Sequence, residues 1–132
     1  MTRENVEIVR RFYDAWAREE FPGPRELMDA EIEYVNPPEA IEPGVRRGHA
    51  AFSKAVELVY EGWEAWEAEP EHFSATGDQV VVVVRYRAVG RGSGVEIEGR
   101  ESALWTLRDG KVLRYAWFSG PTEALEAAGL SE

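Results

Sequence analysis

Between Thr2 and about Arg18, apolar residues fall at Val6, Ile8, Val9, Phe12, Tyr13 and Trp16. Spacing of three and four residues predicts a helix with one apolar stripe. Thr2 reads as its cap, with Asn5 in the place usually taken by Glu or Gln. Phe21-Pro-Gly-Pro breaks the pattern, and Pro24 to Asp29 predicts a short second helix with proline in its first turn. Glu31 to Asn36 alternates polar and apolar, which predicts a strand ended by Pro37-Pro38. A loop rich in Pro and Gly runs to Gly48. His49 to about Tyr60 predicts a third helix with Phe52, Ala55, Val56 and Val59 on one side.

The second half has the period of a sheet. Trp63 to about Ala75 is extended but interrupted by Pro70, and Gly77-Asp78 is a turn. Gln79–Val89 is a run of strong strand formers. Gly90-Arg-Gly-Ser-Gly makes a flexible hairpin, Val95–Leu107 a long strand, Arg108-Asp-Gly a turn and Lys111–Ser119 the last strand. A short helix from Pro121 closes at Gly129. Helices first and hairpin-linked strands afterwards predict an α+β fold with an antiparallel sheet, not a doubly wound one.

The chain has 132 residues, the length of one domain spanning 1–132. A net charge of −10 repels phosphate backbones and anionic lipid, which argues against nucleic-acid and membrane partners. Without cysteine there is no thiolate chemistry or disulfide, and two histidines make a His-rich metal site unexpected. The N-terminus lacks the apolar run of a signal peptide, so the expected location is cytoplasmic.

Several stretches together resemble a known family. They are Asn5-Val-Glu-Ile-Val-Arg-Arg-Phe-Tyr-Asp-Ala-Trp, Tyr34-Val-Asn-Pro-Pro leading to Glu42-Pro-Gly and Arg47-Gly-His, Ala75-Thr-Gly-Asp-Gln-Val-Val-Val, Trp105-Thr-Leu-Arg-Asp-Gly-Lys-Val and Glu123-Ala-Leu-Glu-Ala-Ala-Gly-Leu. In this order they resemble a SnoaL-like domain of the nuclear-transport-factor-2-like superfamily. That resemblance implies a curved, mixed but mainly antiparallel sheet wrapped as a cone around three helices of the N-terminal half, with a short C-terminal helix. It implies a deep apolar pocket for a hydrophobic cyclic small molecule, no cofactor, and a homodimer formed through the outer face of the sheet. The fold serves isomerases, polyketide cyclases, epoxide hydrolases, dehydratases and non-catalytic binders, so it does not itself name a reaction.

Alternation along strands sorts the candidate pocket residues. Ile32, Tyr34 and Asn36 share a face, as do Val80, Val82, Val84 and Tyr86. Val95, Ile97, Glu101, Ala103, Trp105 and Leu107 form a third set, and Leu113, Tyr115, Trp117 and Ser119 a fourth. These sets are the more apolar ones and are expected to face inward. From the helices come Val9, Phe12, Trp16, Phe52 and Val56. The expected ligand contacts are Phe12, Trp16, Phe52, Val84, Tyr86, Ala103, Trp105, Tyr115 and Trp117. Trp63 and Trp66 are expected in a dimer interface or under the sheet. A bulge in any long strand would flip the parity beyond it.

Three residues are the candidates for chemistry. Glu101 is the one charged group in its otherwise apolar set; desolvation would raise its pKa and suit it to acid–base work, unless a bulge turns it to solvent. Tyr34 and Asn36 would together hold a water or carbonyl, as a Tyr-x-Asn does in the limonene-epoxide-hydrolase-like branch; alternatively Asn36 starts the turn before Pro37 and Tyr34 is core. The chain departs from both catalytic branches it resembles. Where the ketosteroid-isomerase-like branch has a catalytic Asp-Pro, this chain has Asn36-Pro37. That branch's helix-one tyrosine aligns with Phe12, next to Tyr13, and its second aspartate with Ala103. The last aspartate of the epoxide-hydrolase set aligns with Trp117, and Arg85 faces outward by parity. Glu101 and Glu71 are the carboxylates left to act as base. His49, at the start of the third helix, reads as a surface or capping residue. Two readings stand: an enzyme of isomerisation, cyclisation or hydration, and a binding or scaffold protein with the same cone and no chemistry.

Overall fold

The computed structural model describes residues 2–130. Helix α1 spans Thr2–Ala17, and the capping side chain proposed at Thr2 lies outside the described residues. The short helix expected after Pro24 is a single 3-10 turn, Arg25–Leu27. Strand β1 takes over at once, Met28–Asn36, and starts earlier than the alternation suggested. Strand β2, Gly44–Arg47, forms within the stretch expected to be loop. It is followed by α2 (His49–Glu61), β3 (Ala65–Thr76), β4 (Gln79–Val89), β5 (Glu96–Arg108), β6 (Lys111–Phe118) and α3 (Glu123–Ala127).

The six strands form one mixed sheet in the order β2-β1-β6-β5-β4-β3. Only β1 and β6 run parallel; every other neighbour is antiparallel. Pro70 sits on the edge strand β3, where a missing N–H is tolerated, and the register shifts between Pro70 and His72. Helices α1 and α2 pack on the inner face of the curved sheet. Their buried side chains, Val9, Phe12, Tyr13, Trp16, Phe52 and Val56, join Ile32, Val80, Val82, Ala103, Trp105 and Tyr115 in one core.

Trp105 is the centre of that core. It is fully buried, with ring centroids of Tyr115 at 4.7 Å, Phe12 at 5.4 Å, and Tyr13 and Trp16 at 5.5 Å. Its indole N–H donates to the Tyr13 hydroxyl at 3.1 Å, so the one polar atom of the ring is satisfied. Helix α3 folds over the opposite, outer face. Its own cap residue Thr122 makes no side-chain bond; instead the buried Ser102 of β5 accepts the Ala124 N–H at 3.1 Å and donates to the Gly120 carbonyl at 2.7 Å. A strand hydroxyl thus serves as the cap of a five-residue helix.

Two inward sets are corrected. Val95, expected on the inner face with Ile97, precedes β5 and is 58% exposed. The register between β5 and β6 shifts after Thr106, so Leu107 pairs with Val112 and Leu113 is the extra residue. Val112 is fully buried in place of Leu113.

Candidate functional site

Beneath α1 and α2 the sheet leaves a cavity of about 340 Å³. That is roughly twice the 150 Å³ of an engineered void that takes up benzene, so it has room for a molecule of about two rings. Its inner part is lined by Tyr13, Trp16, Tyr34, Val56, Val84, Glu101 and Tyr115. Its mouth is lined by Tyr60, Trp63, Trp66, Tyr86, Ile97 and Trp117 among others.

Glu101 reaches the cavity because β4 and β5 stay in unbroken register from Gln79 to Val89. Alternation therefore carries Glu101, opposite Val84, onto the inner face with Ala103 and Trp105. Among the described residues no hydrogen bond or ion pair to its carboxyl forms. Burial alone pushes its pKa from 4.5 up to about 7. The group is then close to half-ionised near neutral pH and can give or take a proton.

Four phenols surround this carboxyl. Burial raises the pKa of Tyr13, Tyr34 and Tyr115 well above the ordinary value, and the nearby Glu101 charge adds to the rise. Tyr60 is pushed up to about 12, again chiefly by burial. All four stay neutral and offer hydroxyl groups. Tyr34 and Tyr115 lie 5.1 Å apart by ring centroid, and both rings pack on Phe52. Among the described residues no fully buried side-chain polar atom lacks a partner, and the Tyr34 and Tyr115 hydroxyls bond to no protein group there, so they open onto the cavity.

The structure redistributes the other expected contacts. Trp16, Val84, Tyr86, Tyr115 and Trp117 line the cavity. Phe12, Phe52, Ala103 and Trp105 do not: each is at most 1% exposed and lies behind the first layer of rings. On α1 the cavity-facing aromatics are Tyr13 and Trp16, whereas Phe12 turns toward Trp105 and the Pro22-Gly23 segment. Asn36 is also outside the lining. Its Oδ1 accepts the Trp117 indole N–H at 2.6 Å and its Nδ2 donates to the Glu42 carbonyl at 2.8 Å. Both ends of the amide are occupied in fixing Trp117 and the loop after β1, which leaves Tyr34 without the partner proposed for it.

Glu71 is excluded as a base. The shift after Pro70 turns it to the outer face, where it pairs with Arg100 at 2.7 Å and its pKa is lowered by that bond. His49 Nε2 donates to the Asp29 carbonyl at 3.1 Å, tying α2 to β1. Trp63 and Trp66 lie at the cavity mouth. They stack on each other at 6.2 Å, Trp66 stacks on Tyr86 at 5.3 Å and 13°, and the three rings wall the mouth. Among the described residues no group of three or more His, Asp or Glu side chains could hold a metal, and no helix is long and apolar enough to cross a membrane. A second hollow between α1 and the 3-10 turn is walled by Arg11, Asp14, Arg18, Glu20 and Glu26, a charged surface unsuited to an apolar ligand.

The SnoaL-like domain model matches residues 9–115. The chain belongs to the SnoaL-like family. Solved structures share the fold along almost their whole length. A putative SnoaL-like polyketide cyclase from Jannaschia sp. CCS1 is 23% identical, with 99% of this chain and 95% of that one covered and a TM-score of 0.79. An NTF2-like protein from Burkholderia xenovorans LB400 is 27% identical, with 96% and 97% covered and a TM-score of 0.74. TerC, crystallised with polyporic acid, is 23% identical, with 93% and 96% covered and a TM-score of 0.77. No curated protein sequence matches the chain. As a SnoaL-like protein it keeps the family cone, and its cavity carries a single carboxylate, Glu101, among phenols.

Proposed function

We propose that this SnoaL-like protein binds a hydrophobic, ring-containing small molecule in the cone and that Glu101 exchanges a proton with it. The observation that carries the reading is Glu101 itself: an unpaired carboxyl in an aromatic-walled cavity, with a pKa raised to about 7 by burial. A ring ligand closing the mouth would exclude water and leave Glu101 as the base beside it. The Tyr34 and Tyr115 hydroxyls would donate to oxygen charge that develops on the ligand. Isomerisation, cyclisation and hydration all fit this set without a cofactor.

One observation favours a carrier without chemistry. Among the described residues nothing orients the Glu101 carboxyl by a hydrogen bond, whereas catalytic bases are usually held by a further group. Hydrogen–deuterium exchange decides between the two. Cyclic ketones and phenols that quench the cavity tryptophans would be incubated in D₂O with protein. Exchange at the ligand's acidic carbon that Glu101→Gln abolishes supports the enzyme. Binding with no exchange supports the carrier, and no binding refutes both. The resemblance also suggests pairing of two copies through the outer sheet face, which sedimentation at micromolar concentration would test.

A further inference from the structure

We infer that the cavity is built for a positively charged ligand: a ring-bearing quaternary ammonium or a protonated tertiary amine. This rests on reading the cavity as a small-molecule site and adds the ligand's charge to it. Nine of the eighteen lining residues are Tyr or Trp. Their ring faces carry negative potential and attract cations. No Lys, Arg or His is in the lining, so the wall holds nothing to balance an anion. The one carboxyl group there has no counter-charge.

Two of the four indole donors in the lining are engaged elsewhere. Trp16 gives its N–H to the Pro22 carbonyl at 2.8 Å and Trp117 gives its own to Asn36. Both therefore present ring rather than donor to a ligand. At the mouth, Trp63, Trp66 and Tyr86 make a continuous stacked wall. Tyr86 lies flat across β5 because Gly99 stands opposite it; a Cβ at Gly99 would sit 2.9 Å from the Tyr86 hydroxyl.

The charges nearest this space are accounted for. Arg46 acts on Tyr34 from β2 but is paired with Glu42 at 3.3 Å. Arg91 is exposed and bound to the Glu61 carbonyl at 2.7 Å. Glu19 acts on Tyr60, adding negative charge. The groups facing Glu101 are the phenols of Tyr13 on α1, Tyr34 on β1, Tyr60 on α2 and Tyr115 on β6, all neutral donors. A net charge of −10 over the whole chain draws cations toward the mouth.

The test uses three probes of one shape on the intact protein: phenyltrimethylammonium, its neutral isostere tert-butylbenzene, and benzenesulfonate. Binding is read by tryptophan fluorescence at pH 8. The cation is expected to bind at least about tenfold more tightly than the isostere, and the sulfonate weakest of all. Its affinity should fall several-fold between pH 8 and pH 6 as Glu101 takes up a proton. Glu101→Gln should remove that pH dependence, and Trp66→Leu should reduce the preference for the cation. Folding of each variant is checked by circular dichroism. Isostere and cation binding within twofold of one another, or a tighter sulfonate, would overturn the inference while leaving the cavity a ligand site. Failure of all three probes to bind would overturn the inference and the ligand-binding reading together.

Discussion

Glu101→Gln keeps the size of the side chain and removes its titration, so it isolates the effect of burying this carboxyl. In the folded protein the group titrates at about 7, against 4.5 when unperturbed. Between those values the folded chain holds a proton that the unfolded chain has lost. Unfolding therefore releases a proton, and stability falls as pH rises through this window. At about 1.4 kcal/mol per pH unit the loss reaches at most about 3–4 kcal/mol, and water entering by the mouth lowers that ceiling. The full stability is present below pH 4.5 and no more is lost above about pH 7. Urea unfolding of both proteins at half-unit steps from pH 4 to 8 measures this. Every other ionisable group is common to both proteins and cancels in the difference. The stability of wild type minus variant should decline by about 1–3 kcal/mol across the window and be flat on either side. A difference that stays level from pH 4 to 8 would refute the reasoning, because it would mean that Glu101 is as hydrated in the folded state as in the unfolded chain.

Trp105→Ala should cost about 3–5 kcal/mol in chemical denaturation, since the ring is fully buried among four aromatic neighbours. Ser102→Ala should cost about 1–3 kcal/mol and speed amide exchange at Ala124, whose N–H would lose its acceptor. Gly23→Ala should destabilise by at least about 1 kcal/mol by thermal melt, because Gly23 has φ +117° and a Cβ there would lie 2.7 Å from the Phe12 ring.

The element order was legible because the periods are clean. Three- and four-residue spacing marks α1 and α2, a run of strong strand formers marks β4, and the glycine-bearing turns on either side bound β5. The unbroken β4–β5 pairing is also why parity places Glu101 beside Val84 on the inner face. Parity failed where a strand carries an extra residue. The shift after Thr106 exchanged Leu113 for Val112, and the shift after Pro70 sent Glu71 outward to Arg100. Strand β2 escaped notice because four residues in a Pro- and Gly-rich stretch carry no period of their own. The sequence could not separate lining from core. Phe12 and Tyr13 sit on the same stripe of α1, and only the depth of the cone puts Tyr13 on the cavity and Phe12 behind it. Asn36 was ambiguous for a different reason: its partners, Trp117 and the Glu42 carbonyl, come from a distant strand and from a loop whose path the sequence does not specify. Trp63 and Trp66 needed the cross-strand stack on Tyr86 to be seen as wall.

The carboxyl chemistry depends on a desolvated Glu101, and carboxyl carbon NMR reads that group directly. Side-chain carboxyl shifts of labelled protein would be followed from pH 3 to 9, with the Glu101 signal assigned by its absence in Glu101→Gln. A midpoint near 7 is the predicted result and marks a carboxyl held in an apolar cavity. A midpoint near the unperturbed 4.5 would contradict it, placing Glu101 in water and removing the group on which the proton-transfer proposal rests.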